Sequence, residues 1–305
     1  MLRKASPTPT ILVTGSNGQV GFELRRSLAP LGHVVALDRA TCDLSNPDAL
    51  RGVVRRARPD VIINAAAYTA VDKAESEAEF AFAINGTAPG VLSEEARALG
   101  SLLVHYSTDY VFAGTGNTPY TEEDPVGPLS IYGRSKLAGE RAIAEASAQA
   151  IVLRTCWVAG AHGGNFAKTM LKLGRERDSL RVIADQFGAP TTAALIADVT
   201  AQIVGRAWLH GDRPAFPAGI YHLAASGETS WHGYATEVLR YAASKGIALR
   251  VAPEAIEAIS ATAYPLPAPR PSNSRLDTRK LRDTFDIHLP EWQQGVHHLL
   301  DQILS

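Results

Sequence analysis

Two side chains able to move and stabilise a proton stand four positions apart in Tyr132-Gly-Arg-Ser-Lys136. Positions i and i+4 share one face of a helix, with Cβ atoms roughly 5 to 6 Å apart. A Lys ammonium stabilises a nearby phenolate, so this spacing predicts a lowered pKa for Tyr132 and a proton donor suited to neutral pH. Thr108, at the end of a predicted strand, is expected to hydrogen-bond the same substrate oxygen. These three residues indicate reduction of a carbonyl group.

A glycine-rich loop gives this pair its context. Gly15, Gly18 and Gly21 follow a predicted strand and open a predicted helix. In that order the glycines permit a tight turn, a close approach of backbone to a pyrophosphate, and close packing of the helix on the strand. The free N–H groups of the helix N-terminus then hold the phosphates. A Tyr-x-x-x-Lys pair alone is common on helix surfaces, but with this loop it indicates a nicotinamide-dependent reductase. Lys136 is then expected to bind the nicotinamide ribose of the cofactor as well.

Residues at the ends of the next predicted strands indicate how a dinucleotide is held. Asp38 lies about 20 positions after the loop, where a carboxylate bonds the adenosine ribose. Arg39 follows directly. A carboxylate disfavours the extra phosphate of NADP, whereas an Arg accepts it, so NADH and NADPH both stay open. Asp43, Leu44 and the three alanines at 65–67 lie at further strand ends on the same edge.

The elements that must position these residues follow a pattern of short apolar runs separated by helix-length segments. Such alternation predicts βαβ crossovers and an α/β fold with a doubly wound, Rossmann-like parallel sheet. The predicted strands cover residues 11–14, 33–37, 61–63, 102–106, 151–155 and 220–223. The predicted helices cover 20–29, 47–57, 73–84, 86–99, 166–177, 192–208 and 231–245.

The second half of the chain is less regular, which predicts a second, smaller unit. We expect an NAD(P)-binding domain over residues 1–160, to which the chain returns at about 190–225. Residues 161–189 and 226–305 then form mainly a C-terminal α+β substrate-binding domain. Residues 1–10, with Pro7 and Pro9, are expected to be a flexible tail.

Composition excludes several other classes of protein. Lys and Arg number 30 against 31 Asp and Glu, a net charge of -1, without the basic excess of a nucleic-acid-binding protein. No apolar run approaches the length of a membrane span. The N-terminal segment lacks the apolar stretch of a signal peptide. We therefore expect a cytoplasmic protein without a membrane partner. The two cysteines, Cys42 and Cys156, lack the spacing of a zinc site or a disulfide scaffold.

Taken together, the glycine loop, Asn64-Ala-Ala-Ala67, Ser107-Thr-Asp109 and Tyr132-x-x-x-Lys136 resemble the extended short-chain dehydrogenase/reductase family. Segments at 58–75, 105–112, 165–170, 185–191 and 270–278 resemble one reductase group within it, over nearly the whole chain. This resemblance implies that NADPH or NADH reduces the C4 keto group of dTDP-4-dehydro-6-deoxy-L-mannose. The product would be dTDP-L-rhamnose for a cell-surface polysaccharide of the O-antigen type.

The resemblance also implies roles for single residues. Tyr132 would be the proton donor, supported by Lys136 and Thr108, and Tyr132 and Lys136 would also meet the cofactor. Asp109 and Trp157 would contact the sugar nucleotide, and we expect Arg270, in a segment specific to the group, to contact its diphosphate. The residues implied to line the cofactor are Gly18, Gln19, Val20, Asp38, Asp43, Leu44, Ala67, Tyr68, Thr69 and Tyr106.

A metal site is not carried over from the family. Relatives have been described with a magnesium-linked dimer built from acidic side chains on the helix that here begins at Thr192 and near the C-terminus. This chain has Ala194 and Gln293 or Gln294 in those places. Glu23 remains, but a single carboxylate binds weakly to a cation that takes six oxygens. We therefore assign no metal-binding residue, and leave open both the dependence on Mg²⁺ that the resemblance implies and whether the chain forms a homodimer.

Two other functions stay open at this point. A sugar-nucleotide epimerase or dehydratase would share the scaffold, but such dehydratases carry a Glu base where this chain has Tyr110. A non-catalytic regulatory subunit, like that of methionine adenosyltransferase, also resembles these reductases. The intact set of Thr108, Tyr132 and Lys136 favours catalysis.

Overall fold

A computed structural model describes residues 8–304 of the chain. The strands of its main sheet are Thr10–Thr14 (β1), His33–Leu37 (β2), Val61–Asn64 (β3), Leu102–Thr108 (β4), Ala150–Thr155 (β5) and Gly219–His222 (β10). All are parallel and lie in the order β2-β1-β3-β4-β5-β10. The prediction of a doubly wound α/β sheet is confirmed.

Helices flank this sheet and continue into the second half of the chain. Their bounds are Gln19–Leu28 (α1), Pro47–Ala57 (α2), Val71–Ala74 (α3), Ala78–Phe82 (α4), Ala88–Leu99 (α5), Ile131–Ala146 (α6), Phe166–Glu176 (α7), Ala193–Gln202 (α8), Trp231–Ser244 (α9), Arg279–Phe285 (α10) and Trp292–Leu304 (α11). Within residues 8–304, no helix combines the length and the apolar character needed to cross a bilayer.

Alternating side chains of each strand enter two different hydrophobic layers. Ile11 and Val13 of β1 pack with α1, α8 and α10, whereas Leu12 between them packs with α2 and α5 on the opposite face. A strand covered on both faces has no polar side to turn toward water, which explains why the β1 and β3 segments are apolar without alternation. The sheet is therefore the centre of a three-layer unit.

A second hydrophobic cluster lies outside this unit and joins α7, α9 and α11. Short strand pairs accompany it: Val158–Ala159 (β6) with Thr191–Thr192 (β9), Arg181–Ile183 (β7) with Glu257–Ile259 (β12), and Phe187–Gly188 (β8) with Thr229–Ser230 (β11). Helix α10 contributes Leu281 and Phe285 to the cluster of the main sheet instead. The domain boundaries given above stay a prediction.

Two sequence expectations differ from the structure. The helix predicted over 73–84 is divided into α3 and α4 and runs into a widened π-helical turn at Ala83–Thr87. Pro89, which has no N–H to bond the carbonyl of Asn85, accounts for the widening. Residues 1–7 of the expected tail lie outside the described residues. Pro9 and Thr10 belong to the sheet, because the Pro9 carbonyl oxygen accepts from the N–H of His33 at 2.8 Å and Thr10 begins β1.

Candidate active site

The crevice for a ligand opens where the strand order reverses. The chain passes from β1 outward to β2 and then returns to β3 on the other side of β1. The loops that leave β1 and β3 therefore separate, and ligands of open α/β sheets bind at such switch points. A cavity of about 380 Å³ lies there, lined by Gly15, Asn17, Gly18, Asp38, Arg39, Ala40, Cys42, Asp43, Leu44, Ala65, Ala66, Ala67, Tyr68, Phe80 and Ile84.

The loop after β1 is shaped for a phosphate rather than for a side chain. Gly15 has a φ of +65°, and a Cβ on it would lie 2.6 Å from the Ala66 nitrogen. A Cβ on Gly21 would lie 2.1 Å from the Gly15 carbonyl oxygen, so α1 packs directly on the loop. Gly18 precedes α1 without a side chain that could cap it. The first N–H groups of α1 stay available for an anion, and the loop fits a dinucleotide pyrophosphate.

An ionised carboxylate marks the far end of the cavity. Asp38 Oδ1 accepts from the backbone N–H groups of Ala40 and Thr41 at 3.1 and 3.0 Å and from the Thr41 hydroxyl at 2.9 Å. These hydrogen bonds, those of Thr41 first, lower the pKa of Asp38. Its other oxygen accepts from the Asn17 amide at 3.1 Å. The Arg39 guanidinium lies 5.5 Å from the centre of the Phe80 ring. The pKa of Asp43, which also lines the cavity, is lowered by hydrogen bonds from Ser45 and, to a smaller extent, by the Arg39 charge.

Several residues predicted to meet a cofactor are not in the cavity lining. Gln19 Oε1 accepts from the Gly160 N–H at 2.8 Å and from the Asn165 amide at 3.0 Å. The Tyr106 hydroxyl lies 2.7 Å from the Thr200 hydroxyl in the core, and Thr69 is exposed. Val20 packs against the main hydrophobic cluster. Their proposed cofactor contacts stay predictions.

Lys136 lies deep beneath the end of β4. Its Nζ donates to the Tyr106 carbonyl oxygen at 2.6 Å and lies 3.2 Å from Nε2 of His105. Burial lowers the pKa of Lys136 to about 8, and the charge of Glu140, one helical turn further along α6, opposes this shift. A substantial fraction of Lys136 is therefore neutral in mildly alkaline solution.

Tyr132 has a pKa raised to about 12, so the expectation of a lowered pKa is wrong for this structure. Burial of the phenolate is the main cause, and the Asp109 charge adds to it. A side-chain hydrogen bond with Thr108 acts in the opposite direction. The Tyr132 ring meets Tyr110 edge to face, with centroids 5.4 Å apart. The phenol is thus protonated at neutral pH and next to the predicted threonine.

Asp109 adds a buried carboxyl group to this end of the site. The Thr108 hydroxyl donates to its Oδ1 at 2.9 Å. Desolvation raises the pKa of Asp109 to about 6, while hydrogen bonds from Ser274 and Thr108 oppose the shift. Its Oδ2 is buried and has no hydrogen-bond partner among residues 8–304. Such an orphaned acceptor is suited to a donor on a ligand.

The other two residues predicted on the substrate side lie in different surroundings. Trp157 has a φ of +47° and stacks on Trp231 with ring centroids 3.7 Å apart. Arg270 forms an ion pair with Asp72 at 2.8 Å, and Asp72 also accepts from the Ala268 N–H. The segment that carries Arg270 reaches the site through Ser274, the partner of Asp109.

Sequence reasoning missed two buried polar residues next to these groups. Asn85, in the widened turn, exchanges hydrogen bonds with both backbone groups of Tyr68 and donates to the Ser135 hydroxyl at 3.0 Å. His105, within β4, is 1% exposed. The Asn-Gly pair followed by Pro89 signals a break in a helix and points to Asn85, because widened turns are frequent at functional sites. A histidine inside an apolar strand gives no such local signal.

Glu23, the carboxylate considered for a metal, is engaged in an ion pair. Glu23 pairs with Arg26 at 3.1 Å, and Arg26 pairs with Asp198 at 2.9 Å. The part of the chain that the structure describes holds no group of three or more His, Cys, Asp or Glu side chains placed to bind a metal ion.

The chain is similar to one family throughout. It matches the RmlD substrate binding domain family over residues 9–305. The dTDP-4-dehydrorhamnose reductases of Shigella flexneri and Escherichia coli strain K12 are each 49% identical to it over 299 residues, which is 97% of this chain and 98% of theirs. The crystal structure of the Bacillus anthracis dTDP-4-dehydrorhamnose reductase in complex with NADP has a TM-score of 0.87 and 32% identity, over 97% of this chain and 99% of that one.

Proposed function

Because the chain belongs to the RmlD substrate binding domain family, together with the dTDP-4-dehydrorhamnose reductases, we propose that it reduces dTDP-4-dehydro-6-deoxy-L-mannose with NAD(P)H. The C4 keto group becomes a hydroxyl group and the product is dTDP-L-rhamnose. The observation that carries this function is the set of Thr108, Tyr132 and Lys136 at the end of β4, next to a crevice that fits a dinucleotide.

Tyr132 donates the proton in this reaction. NAD(P)H, when bound, supplies the hydride that the carbonyl carbon receives. The Tyr132 hydroxyl passes its proton to the carbonyl oxygen, and Thr108, its hydrogen-bond partner, holds the same oxygen. The Lys136 ammonium stabilises the phenolate that remains. A phenol with a raised pKa keeps its proton until an oxygen of comparable basicity forms in front of it.

The glycine loop and the cavity residues bind the dinucleotide. Gly15, Gly18 and Gly21 shape the loop whose N–H groups donate to the pyrophosphate. Asp43, Leu44, Ala67 and Tyr68 line the cavity. Asp38 would bond the adenosine ribose, and Arg39, next to it in sequence and also in the cavity lining, would accept the extra phosphate of NADPH. The presence of both residues is compatible with either form of the cofactor.

Asp109, Trp157 and Arg270 form the substrate side. The free Oδ2 of Asp109 accepts a sugar hydroxyl, and the stacked rings of Trp157 and Trp231 offer an apolar wall. When the substrate binds, Arg270 leaves its ion pair with Asp72 and pairs with the diphosphate. The two hydrophobic clusters support a division into a dinucleotide-binding unit and a smaller substrate-binding unit.

We propose a homodimer as the oligomeric state, which light scattering would test. We propose the cytoplasm as the location. Cys42 and Cys156 are both buried free thiols, which suits a reducing compartment.

Turnover with the dTDP-linked ketone and either NADPH or NADH tests the function. We expect stoichiometric loss of nicotinamide absorbance, and a Tyr132→Phe variant slowed at least about 100-fold with unchanged cofactor binding. The matched control is Tyr241→Phe on α9. The Tyr241 hydroxyl donates to the Asp301 carboxylate, away from the site, and we expect this variant to keep wild-type turnover. Product formed without loss of absorbance would identify an epimerase instead.

A further inference from the structure

A line of buried polar side chains runs beneath the site from the first strand to the catalytic helix. The Thr14 hydroxyl lies 2.7 Å from Asn64 Oδ1, and the Asn64 amide nitrogen lies 3.0 Å from His105 Nδ1. His105 Nε2 lies 3.2 Å from Lys136 Nζ. The register of the sheet places Thr14 beside Asn64 and Asn64 beside His105. Each of the four residues is at most 2% exposed.

His105 is the member of this line whose hydrogen-bonding roles can be exchanged. Burial, with a smaller effect of the Lys136 charge, holds the pKa of His105 well below its usual range, so the ring is neutral. A neutral imidazole has one N–H and one acceptor nitrogen. If Nε2 accepts, Nδ1 must donate, and the reverse holds for the other tautomer. The Asn64 amide can present either its oxygen or its nitrogen to the ring.

Two complete arrangements follow from these rules. With Lys136 as an ammonium, Nζ donates to Nε2 of His105, Nδ1–H donates to the Asn64 oxygen, and the Asn64 NH₂ group donates to Thr14. With Lys136 as a neutral amine, each direction reverses, and Nε2–H of His105 donates to the lone pair of Nζ. An apolar neighbour would pair with Nζ in neither state. A group that only accepts would serve the ammonium and leave the lone pair of the amine unpaired.

We propose that His105 is a positioning residue that keeps Lys136 hydrogen-bonded in both of its protonation states by exchanging its ring tautomer. The inference rests on the proposed reduction and deepens it. Burial lowers the pKa of Lys136 to about 8, so both of its protonation states are populated in neutral to mildly alkaline solution. His105, 3.2 Å from Nζ, pairs with Lys136 in each state and so holds its position.

Other charged groups around Lys136 do not replace His105 in this role. Glu140, the next residue on that face of α6, is held by Arg154 of β5 through contacts of 3.0 and 2.7 Å and also accepts from Ser107. Tyr132, one turn earlier on α6, is protonated. The Tyr106 carbonyl oxygen only accepts. His105 is the group in contact with Nζ that can donate as well as accept.

Nitrogen-15 NMR of the full chain with labelled histidine tests the tautomer exchange. Chemical shifts distinguish Nδ1–H from Nε2–H, and we expect His105 to pass from the first to the second between about pH 6 and pH 10, as Lys136 loses its proton. In a Lys136→Met variant the His105 tautomer should not depend on pH. A wild-type His105 that keeps one tautomer over this range, or that becomes doubly protonated, overturns the proposal.

Steady-state kinetics test the consequence for catalysis. We expect His105→Phe to lower kcat at least about 10-fold with the KM for NAD(P)H changed less than about twofold, and His105→Gln, whose amide donates and accepts, to recover much of the loss. His222→Phe is the control, a fully buried histidine of β10 outside the site, and should keep wild-type kcat. Equal rates for His105→Phe and the wild type, or an equal loss in His222→Phe, contradict the proposal. Absence of turnover in the wild type would instead refute the proposed function, which the NMR measurement does not require.

Discussion

Burial of Asp109 beside the tyrosine raises the pKa of its carboxyl group to about 6 and leaves Oδ2 unpaired within residues 8–304. Because the folded-state pKa lies above the unfolded value, the folded protein binds the proton more tightly. Ionisation of Asp109 therefore destabilises the fold, and the effect grows as the pH rises from about 4 to 6. A shift of about two pKa units corresponds to about 3 kcal/mol.

An Asp109→Asn variant should remove this dependence. The quantity to compare is the free energy of unfolding of the variant minus that of the wild type. We expect this difference to be larger at pH 8 than near pH 4 by about 2 to 3 kcal/mol. Urea unfolding at the two pH values measures the difference. A difference between the two proteins that is the same at both pH values would show that Asp109 is not held protonated by the fold.

In the proposed reaction Lys136 sets the alkaline limit of activity. Its pKa is lowered to about 8 by burial, and we propose that the ammonium is the form that stabilises the Tyr132 phenolate. We expect kcat/KM to fall as the pH rises through about 8. In Lys136→Arg the guanidinium keeps its proton, so the residual activity should show no decline in that region. A wild-type profile that is flat up to pH 10 would contradict the assigned role.

The residues of this end of the site were predictable, but their ionisation was not. The Tyr132 and Lys136 spacing is local, because one helical turn fixes which side chains share a face. The raised pKa of Tyr132 depends on burial and on Asp109, and Asp109 in turn meets Ser274, far along the chain. Spacing carries no information on what covers a side chain.

Helix α6, which carries Tyr132 and Lys136, is fixed by groups on both sides. Glu140 and Arg154 form a bidentate pair, each 3% exposed at the side chain, and Ser107 donates to the same carboxylate at 2.5 Å. The Glu75 carboxylate accepts the first N–H of α6, that of Ile131, at 2.8 Å. The helix therefore holds Tyr132 and Lys136 against β4 by charge and hydrogen bonding as well as by packing.

Removing one partner of the buried pair should be far worse than removing both. We expect Glu140→Gln to lower the free energy of unfolding by about 3 to 5 kcal/mol, because Arg154 is left charged and buried. The double variant Glu140→Met with Arg154→Met should recover most of this loss. A double-mutant cycle by urea unfolding measures both values; additive losses would show that the two side chains do not act as a pair.

Regular elements were predicted well because their signals are local. The strand segments were apolar without alternation, and the structure pairs them in one parallel sheet. The prediction ended one helix at residue 84 and began the next at residue 86. It missed the division between α3 and α4 and the widened helical turn that carries the chain through Asn85. Two causes act together. Pro89 lacks an N–H for the Asn85 carbonyl, and Asn85 forms tertiary hydrogen bonds with Tyr68 and Ser135, which lie on different elements.

At the scale of the whole molecule, the two hydrophobic units meet at the phosphate loop. Gln19 of α1 accepts from Gly160 and from Asn165, the residue that caps α7. His162 lies 3.0 Å from the Asn17 carbonyl oxygen and stacks on Phe22 at 4.4 Å. The sequence did not predict this joint, because the residues that form it lie about 140 positions apart in the chain.

A Gln19→Leu variant should weaken the joint. We expect a loss of about 1 to 3 kcal/mol in the free energy of unfolding, because the Gly160 N–H and the Asn165 amide lose their acceptor. Faster cleavage by a protease near residues 160–165 should accompany it. Gln149→Leu, at an exposed position between α6 and β5, is the control and should be neutral. Unchanged stability in Gln19→Leu would remove Gln19 from the joint.

The crowding between Gly15, Gly21 and Ala66 has a practical consequence for redesign of the coenzyme preference. A methyl group at either glycine would overlap backbone atoms, which cannot be moved aside by rotating a bond. Libraries that vary these positions would consist mainly of damaged proteins. Arg39 and Ala40 are exposed on the rim of the same cavity, so diversity placed there would leave the scaffold intact.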